Sequence, residues 1–159
     1  MKKINFLLAL FFASSLFAQT ISQTTSNTIV AGSVTCNSGG MPLDNSFSRA
    51  YTLSTYGYSS FTVSAIQFGI EQYTAGTNAM VLSFNIYTLA SGYPTGTPVL
   101  VSTTNYTVNS TNAFIEIPIT PVTITGGQII VEMSIPDQTV NSNVFFPGSN
   151  NLGQSADGY

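Results

Sequence analysis

Apolar residues recur at every second position along most of this chain, and no stretch competes with the three- and four-residue spacing of an amphipathic helix. Leu82, Phe84 and Ile86 take one parity, Ser83, Asn85 and Tyr87 the other. Ile115, Ile117 and Ile119 alternate with Phe114, Glu116 and Pro118, and Ile129, Val131, Met133 and Ile135 alternate with Ile130, Glu132 and Ser134. Successive side chains of a strand point to opposite faces, so these are half-buried strands. Further candidates at 28–35, 47–53, 61–70, 97–108 and 143–146 bring the set to about eight strands. Within 61–70 the apolar parity switches from Phe61 and Val63 to Ile66, Phe68 and Ile70, which predicts a β-bulge at Ser64-Ala65. Turn residues at Ser91-Gly92-Tyr93-Pro94-Thr95-Gly96 and at Gly126-Gly127 join neighbours that would pair antiparallel. The expected architecture is all-β, an antiparallel two-layer β-sandwich of jelly-roll-like form.

Charge does little to wet these sheets: there are three basic and six acidic residues in 159. Lys2 and Lys3 sit beside the first methionine, so Arg49 alone stands against Asp44, Glu71, Glu116, Glu132, Asp137 and Asp157. No basic patch can form, and nucleic acid and anionic membrane surfaces are excluded as partners. With no His, no Trp and one Cys, the chain has neither a Ser/His/Asp triad nor a Cys/His dyad, nor a zinc site of His or paired thiolates.

Lys2-Lys3, the apolar run at 4–12 and Ala18-Gln19 read as a secretory signal peptide over residues 1–18. The run is too short to cross a bilayer, which takes about 20 residues, and no second one follows, so no membrane insertion is expected. Residues 19–27, rich in Gln, Thr, Ser and Asn without apolar periodicity, read as a flexible lead-in, and 28–159 as the sandwich domain.

Several segments resemble a β-sandwich module of secreted bacterial proteins, many from Bacteroidetes. They are Asp44-Asn45-Ser46-Phe47-Ser48-Arg49-Ala50-Tyr51, Ile66-Gln67-Phe68-Gly69-Ile70-Glu71, Phe84-Asn85-Ile86-Tyr87 and the run from Gly148 through Ala156. The likeness covers nearly the whole chain after residue 18. It implies an extracellular module, often joined to a C-terminal sorting domain for type IX secretion, with no established activity to carry over. It also implies that the domain continues past Tyr159 into a further strand bearing a Cys-Gly pair. Cys36, a lone thiol in an exported chain, then has a disulfide partner in that continuation; from its own surroundings it reads as an inert, buried thiol, with neither His nor a basic neighbour to activate it.

By parity Arg49 shares the apolar face of its strand with Phe47, Tyr51 and Leu53, and a guanidinium there needs an anion. Asp44 and Glu71 are the expected partners of a structural ion pair, and a clamp on a ligand carboxylate or phosphate is the alternative. Glu116 and Glu132, on outward faces of strands that the Gly126-Gly127 turn would pair, are the one combination with glycosidase potential. Solvated charges are the plainer reading. Asp44, Asn45, Asp137 and Asp157 supply oxygen for calcium, without an Asp-x-Asp-x-Asp-Gly run. Tyr56, Tyr58, Tyr73 and Tyr93 fall in or beside loops and could stack on sugar rings. Taken together, these features lead one to expect a secreted, non-enzymatic module, a structural, adhesive or accessory part of a larger extracellular or cell-surface protein. Its expected partners are other domains of the same chain or an extracellular glycan or protein. The rival readings are a carbohydrate-binding module using the loop tyrosines and a Ca-dependent accessory domain of a secreted hydrolase.

Overall fold

A computed structural model describes residues 19–150, 152, 153 and 158. The signal-peptide reading of residues 1–18 and the calcium candidate Asp157 lie outside the described residues. The strands are β1 (Asn37–Ser38), β2 (Met41–Pro42), β3 (Asn45–Thr52), β4 (Ser60–Thr74), β5 (Val81–Leu89), β6 (Val99–Thr107), β7 (Ala113–Thr125), β8 (Gln128–Ile135) and β9 (Val144–Pro147). A four-stranded sheet of order β3-β8-β5-β6 faces a three-stranded sheet of order β7-β4-β9, and β1 and β2 form a small separate ribbon. All pairings are antiparallel. From β3 to β9 only the β5–β6 connection is a hairpin; every other one changes sheet. Early strands thus lie beside late ones, β3 by β8 and β4 by β7, the nested pairing of a jelly roll.

Alternation built this fold. Leu82, Phe84 and Ile86 on β5 meet Ile66 and Ile70 on β4, Ile117 and Ile119 on β7, and Ile129 and Ile135 on β8 in one buried cluster. At about 25 cal/mol per Å² of apolar surface removed from water, this inter-sheet layer is the main term holding the domain together. The bulge falls where the parity switch places it, with register slipping between Val63 and Ala65. At the β1–β2 tip Gly39 and Gly40 take φ of 63° and 86°, the double positive φ that a tight hairpin needs.

Two expectations fail. Residues 28–35 form no strand; they contribute one bridge, Val30 to Ser149. The Gly126-Gly127 turn does not make a hairpin either, for β7 and β8 belong to different sheets. Gly126 and Gly127 have φ of 67° and 65°, and a Cβ on Gly127 would collide with the carbonyl oxygen of Leu89. The glycines let the backbone turn tightly against the β5 end and climb from one sheet to the other. Residues 19–27 are packed against the sandwich: Ile21 touches the core, and Gln23 is 4% exposed.

Candidate functional site

The sandwich is open along one side. β9 pairs with β4 only from Ile70 to Thr74, so the first half of β4 has β7 on one flank and no β9 on the other. Between that half and β3, the facing edge of the other sheet, lies a cleft of about 1010 Å³. Its walls include the half-buried side chains Phe47, Phe61, Phe68, Val131 and Met133. Residues 19–27 cross it as a strap. Tyr56 donates its hydroxyl to the Ser22 carbonyl at 3.3 Å, and Asn150 donates its side-chain amide to Thr24 Oγ1 at 2.5 Å.

Arg49 enters this cleft from the inner face of β3, as parity predicts. The expected ion pair does not form. Among the described residues, the one hydrogen bond of the guanidinium goes from Nη1 to Gln23 Oε1 at 3.4 Å. The Gln23 amide group in turn donates to the Ala50 carbonyl at 2.6 Å, fixing the strap on β3. Burial pushes the neighbouring Tyr51 hydroxyl up, partly opposed by the Arg49 charge and reinforced by Tyr56.

Asp44 and Glu71 serve loops instead. Asp44 Oδ1 accepts the Asp137 N–H at 2.8 Å, and Asp137 Oδ1 accepts the Thr139 N–H at 2.7 Å, which holds the Asp137 carboxyl below its usual range. These are turn caps, the ordinary use of Asp in loops. Asn45 likewise clasps the Cys36 backbone, its side chain accepting the Cys36 N–H at 3.1 Å and donating to the Cys36 carbonyl at 3.0 Å. Among the described residues no group of three or more potential metal-ligating His, Cys, Asp or Glu side chains comes together. Cys36 is exposed, so the expectation of a buried thiol fails: it lies just before the short β1–β2 ribbon, outside the two sheets.

Glu71 accepts the backbone N–H groups of Gly32 at 3.1 Å and Ser33 at 2.8 Å, tying residues 28–33 to β4. Its burial raises the carboxyl pKa, and hydrogen bonding from Ser33 and Gly32 outweighs this, leaving it below the ordinary 4.5. A depressed folded-state value means that the tie is fully present above 4.5 and is lost as pH falls through the lowered value. In an acid titration by NMR, the Gly32 and Ser33 amide shifts should move together with a midpoint under 4.5 and stay still in Glu71→Gln. A midpoint above the ordinary value would refute the tie.

Glu116 and Glu132 stand on opposite outer faces, because β7 and β8 lie in different sheets. Glu116 accepts from Gln67 at 2.6 Å. Glu132 sits in a polar row across the other sheet, where register places Ser48, Glu132, Asn85 and Thr103 side by side. Asn85 and Tyr87 both donate to Glu132 Oε1, at 2.9 and 3.0 Å, and Thr103 donates to Asn85 at 2.8 Å. Burial first, then the hydrogen bond and charge of Glu132, push the Tyr87 hydroxyl up. Loop 90–98 folds over one end of this face: Tyr93 and Ser48 hydroxyls lie 2.6 Å apart, and the Tyr93 N–H donates to Gln128 Oε1 at 3.1 Å.

The four loop tyrosines do not share one site. Tyr56 and Tyr93 lie on opposite sides of β3, the first beside Tyr51 at a ring-centroid separation of 6.3 Å, the second against Ser48. Tyr58 packs on Phe61 at 5.4 Å. Tyr73 is at the other end of the sandwich, donating to Asn143 Oδ1 at 3.4 Å. Asn143 itself, with no exposed surface, is the polar centre that sequence reasoning missed. It accepts the Gly76 N–H at 2.8 Å and donates to the Asn78 carbonyl at 3.0 Å and to Gln138 Oε1 at 2.6 Å.

Comparison with protein-family models, with curated proteins and with solved structures finds no match to this chain.

Proposed function

We propose that the chain is a secreted, non-enzymatic β-sandwich module, an adhesive or structural part of a larger extracellular or cell-surface protein, and that it joins a second copy of itself by strand addition at β6. The resemblance in its sequence to exported bacterial modules and its poverty in ionisable side chains support the first half of this reading. The β6 edge carries the second. Natural sheets guard their edges with charge, proline or a covering segment. Here β3 bears Arg49 and the strap, and β7 bears Glu116, Pro118 and Pro121. β6, outermost in its sheet, reads Val-Leu-Val-Ser-Thr-Thr-Asn-Tyr-Thr, without charge or proline. Val99 and Leu100 on it are 60% and 54% exposed. Two such edges can run antiparallel about a two-fold axis with no like charges opposed, continuing the hydrogen-bond ladder.

Sedimentation across a wide concentration range should therefore show a reversible dimer. Val101→Lys, at a position where the ladder is already irregular, should weaken it by about tenfold or more while the circular dichroism spectrum holds. A monomer at every concentration, or a Lys variant that dimerises equally well, removes the adhesive reading. Hydrolytic turnover lost in Glu132→Gln would remove the non-enzymatic one.

The row of Glu132, Asn85 and Thr103 beside Tyr87 favours carbohydrate recognition as a second reading. It offers preoriented acceptors and donors next to an aromatic ring, the combination that sugar hydroxyls and faces use. Saturable binding on a glycan array that Tyr87→Ala abolishes would favour it.

A further inference from the structure

The inter-sheet cleft combines an apolar lining with a single cation. Its lining of Phe47, Phe61, Phe68, Val131 and Met133 is that of a sandwich core, yet these side chains are only half-buried, and the space they border is about 1010 Å³. That is at the upper end of the size of small-molecule sites, roughly 300 to 1,000 Å³. Into it projects Arg49, the one basic residue after Lys3. A guanidinium carries five N–H donors in a planar fork, and here one of them meets an amide oxygen at 3.4 Å, a long and weak contact. Such a group in apolar surroundings is stabilised by an anion that can take two of its donors together. The described carboxylates are engaged elsewhere: Asp44 by the Asp137 N–H, Glu71 by Gly32 and Ser33, Glu132 by Asn85 and Tyr87, and Glu116 by Gln67 at the outer rim.

We infer that this cleft binds a monoanionic amphiphile, a single carboxylate on an unbranched apolar chain, with the carboxylate on Arg49 and the chain along Phe47, Phe68 and Met133 between the sheets. One cation with a fork of donors matches one carboxylate in charge and geometry, whereas a phosphate would bring up to two charges against the same single arginine. Gln23 holds the guanidinium from the strap side, so the strap is the side from which the ligand enters, and its contacts through the Gln23 side chain, the Ser22 carbonyl and Thr24 Oγ1 are ones that water can replace.

Decanoate is the probe, with decanol as its uncharged counterpart. By calorimetric titration the folded chain should bind decanoate below the concentration at which it forms micelles, and decanol at least tenfold more weakly. In wild-type protein, decanoate and not decanol should shift the Arg49 Nε–H resonance. Arg49→Gln should lower decanoate affinity at least tenfold and leave decanol unchanged, with Arg49→Lys intermediate because it keeps the charge without the fork. Met133→Trp, which fills the apolar wall and leaves Arg49 in place, should abolish binding of both. Equal binding of acid and alcohol, an unmoved Arg49 resonance, or no binding by the wild-type chain would each overturn the assignment, and the resonance reads it without any variant that must fold.

Discussion

Replacing Asn143 by alanine is expected to cost about 3 kcal/mol, and to lower the melting temperature by roughly 10 °C. The side chain is fully buried and makes four contacts: it accepts from Gly76 N–H and the Tyr73 hydroxyl and donates to the Asn78 carbonyl and Gln138 Oε1. Truncation leaves these groups without their partner. A buried polar group stranded in this way costs about 1–3 kcal/mol, and the Gln138 acceptor, in a side chain 3% exposed, has no ready route to water. Loops 75–79 and 136–142 should loosen together, which hydrogen exchange at the Gly76 and Thr77 amides would detect.

Asn143→Asp separates hydrogen bonding from shape. The carboxylate keeps both acceptor contacts but faces the Asn78 carbonyl and Gln138 Oε1 without a proton to donate. Burial among acceptors would raise its folded-state pKa above the unfolded value, so the variant should be least stable at neutral pH and recover as pH falls and the acid becomes a donor. Denaturation midpoints for Asn143→Asp that fall with acid in step with wild type would show that Asn143 holds the loops by shape alone.

How much of this could be read in the sequence depends on whether the cause is local. Alternation assigns each strand residue to a face, and parity correctly placed Leu82, Phe84 and Ile86 inside, at 0%, 1% and 1% exposure, with Arg49 on the inner face of β3 and the bulge between Val63 and Ala65. Ile130 shows where parity ends. It is on the outward face between Ala50 and Tyr87, apart from the core cluster, and is 1% exposed. Loop 90–98 folds over that end of the sheet, and nothing in the alternation of β8 announces a loop arriving from elsewhere. The same holds for Gly126-Gly127. Two glycines mark a tight turn, but whether the chain returns in the same sheet or crosses to the other is decided by the packing of whole sheets, so Glu116 and Glu132 could be given a face but not a common side.

Partners were harder to read than faces. That Arg49 needed company followed from its parity; that a glutamine 26 residues upstream, Gln23, would supply it did not, because a Gln in a run of Ser, Thr and Asn looks like any other solvated amide. Asn143 has the same disguise. Asn before a strand reads as a turn former, and its burial arises only when three separate segments converge on it. Both amides sit where a chain with few charges must fix its loops, and in both cases neutral hydrogen bonds do what ion pairs do in more highly charged domains. Such contacts are less sensitive to salt than ion pairs are.

Phe84→Ala should be the most damaging change in the apolar layer, at about 3–5 kcal/mol. Phe84 lies at the centre of β5, 1% exposed, with its ring 4.6 Å from that of Phe68 across the two sheets. Phe68 in turn meets the edge of Tyr106 at 5.4 Å, so one ring ties β4, β5 and β6 together. Losing it removes the transfer energy of the side chain, an aromatic pair worth about 0.5–1.5 kcal/mol, and the support of Phe68. Relaxation cannot recover much, because Phe84 also borders the cleft and the vacated volume opens into it rather than collapsing. Phe114→Ala is the control: that ring is 38% exposed on the outer face of β7, and the change should cost less than about 1 kcal/mol. In chemical denaturation the Phe84 variant should show a lowered midpoint with an unchanged slope, since the surface exposed on unfolding is nearly the same. A loss of under about 1 kcal/mol would mean that the two sheets are not held by this layer, and that the open side of the sandwich is far looser than its geometry implies.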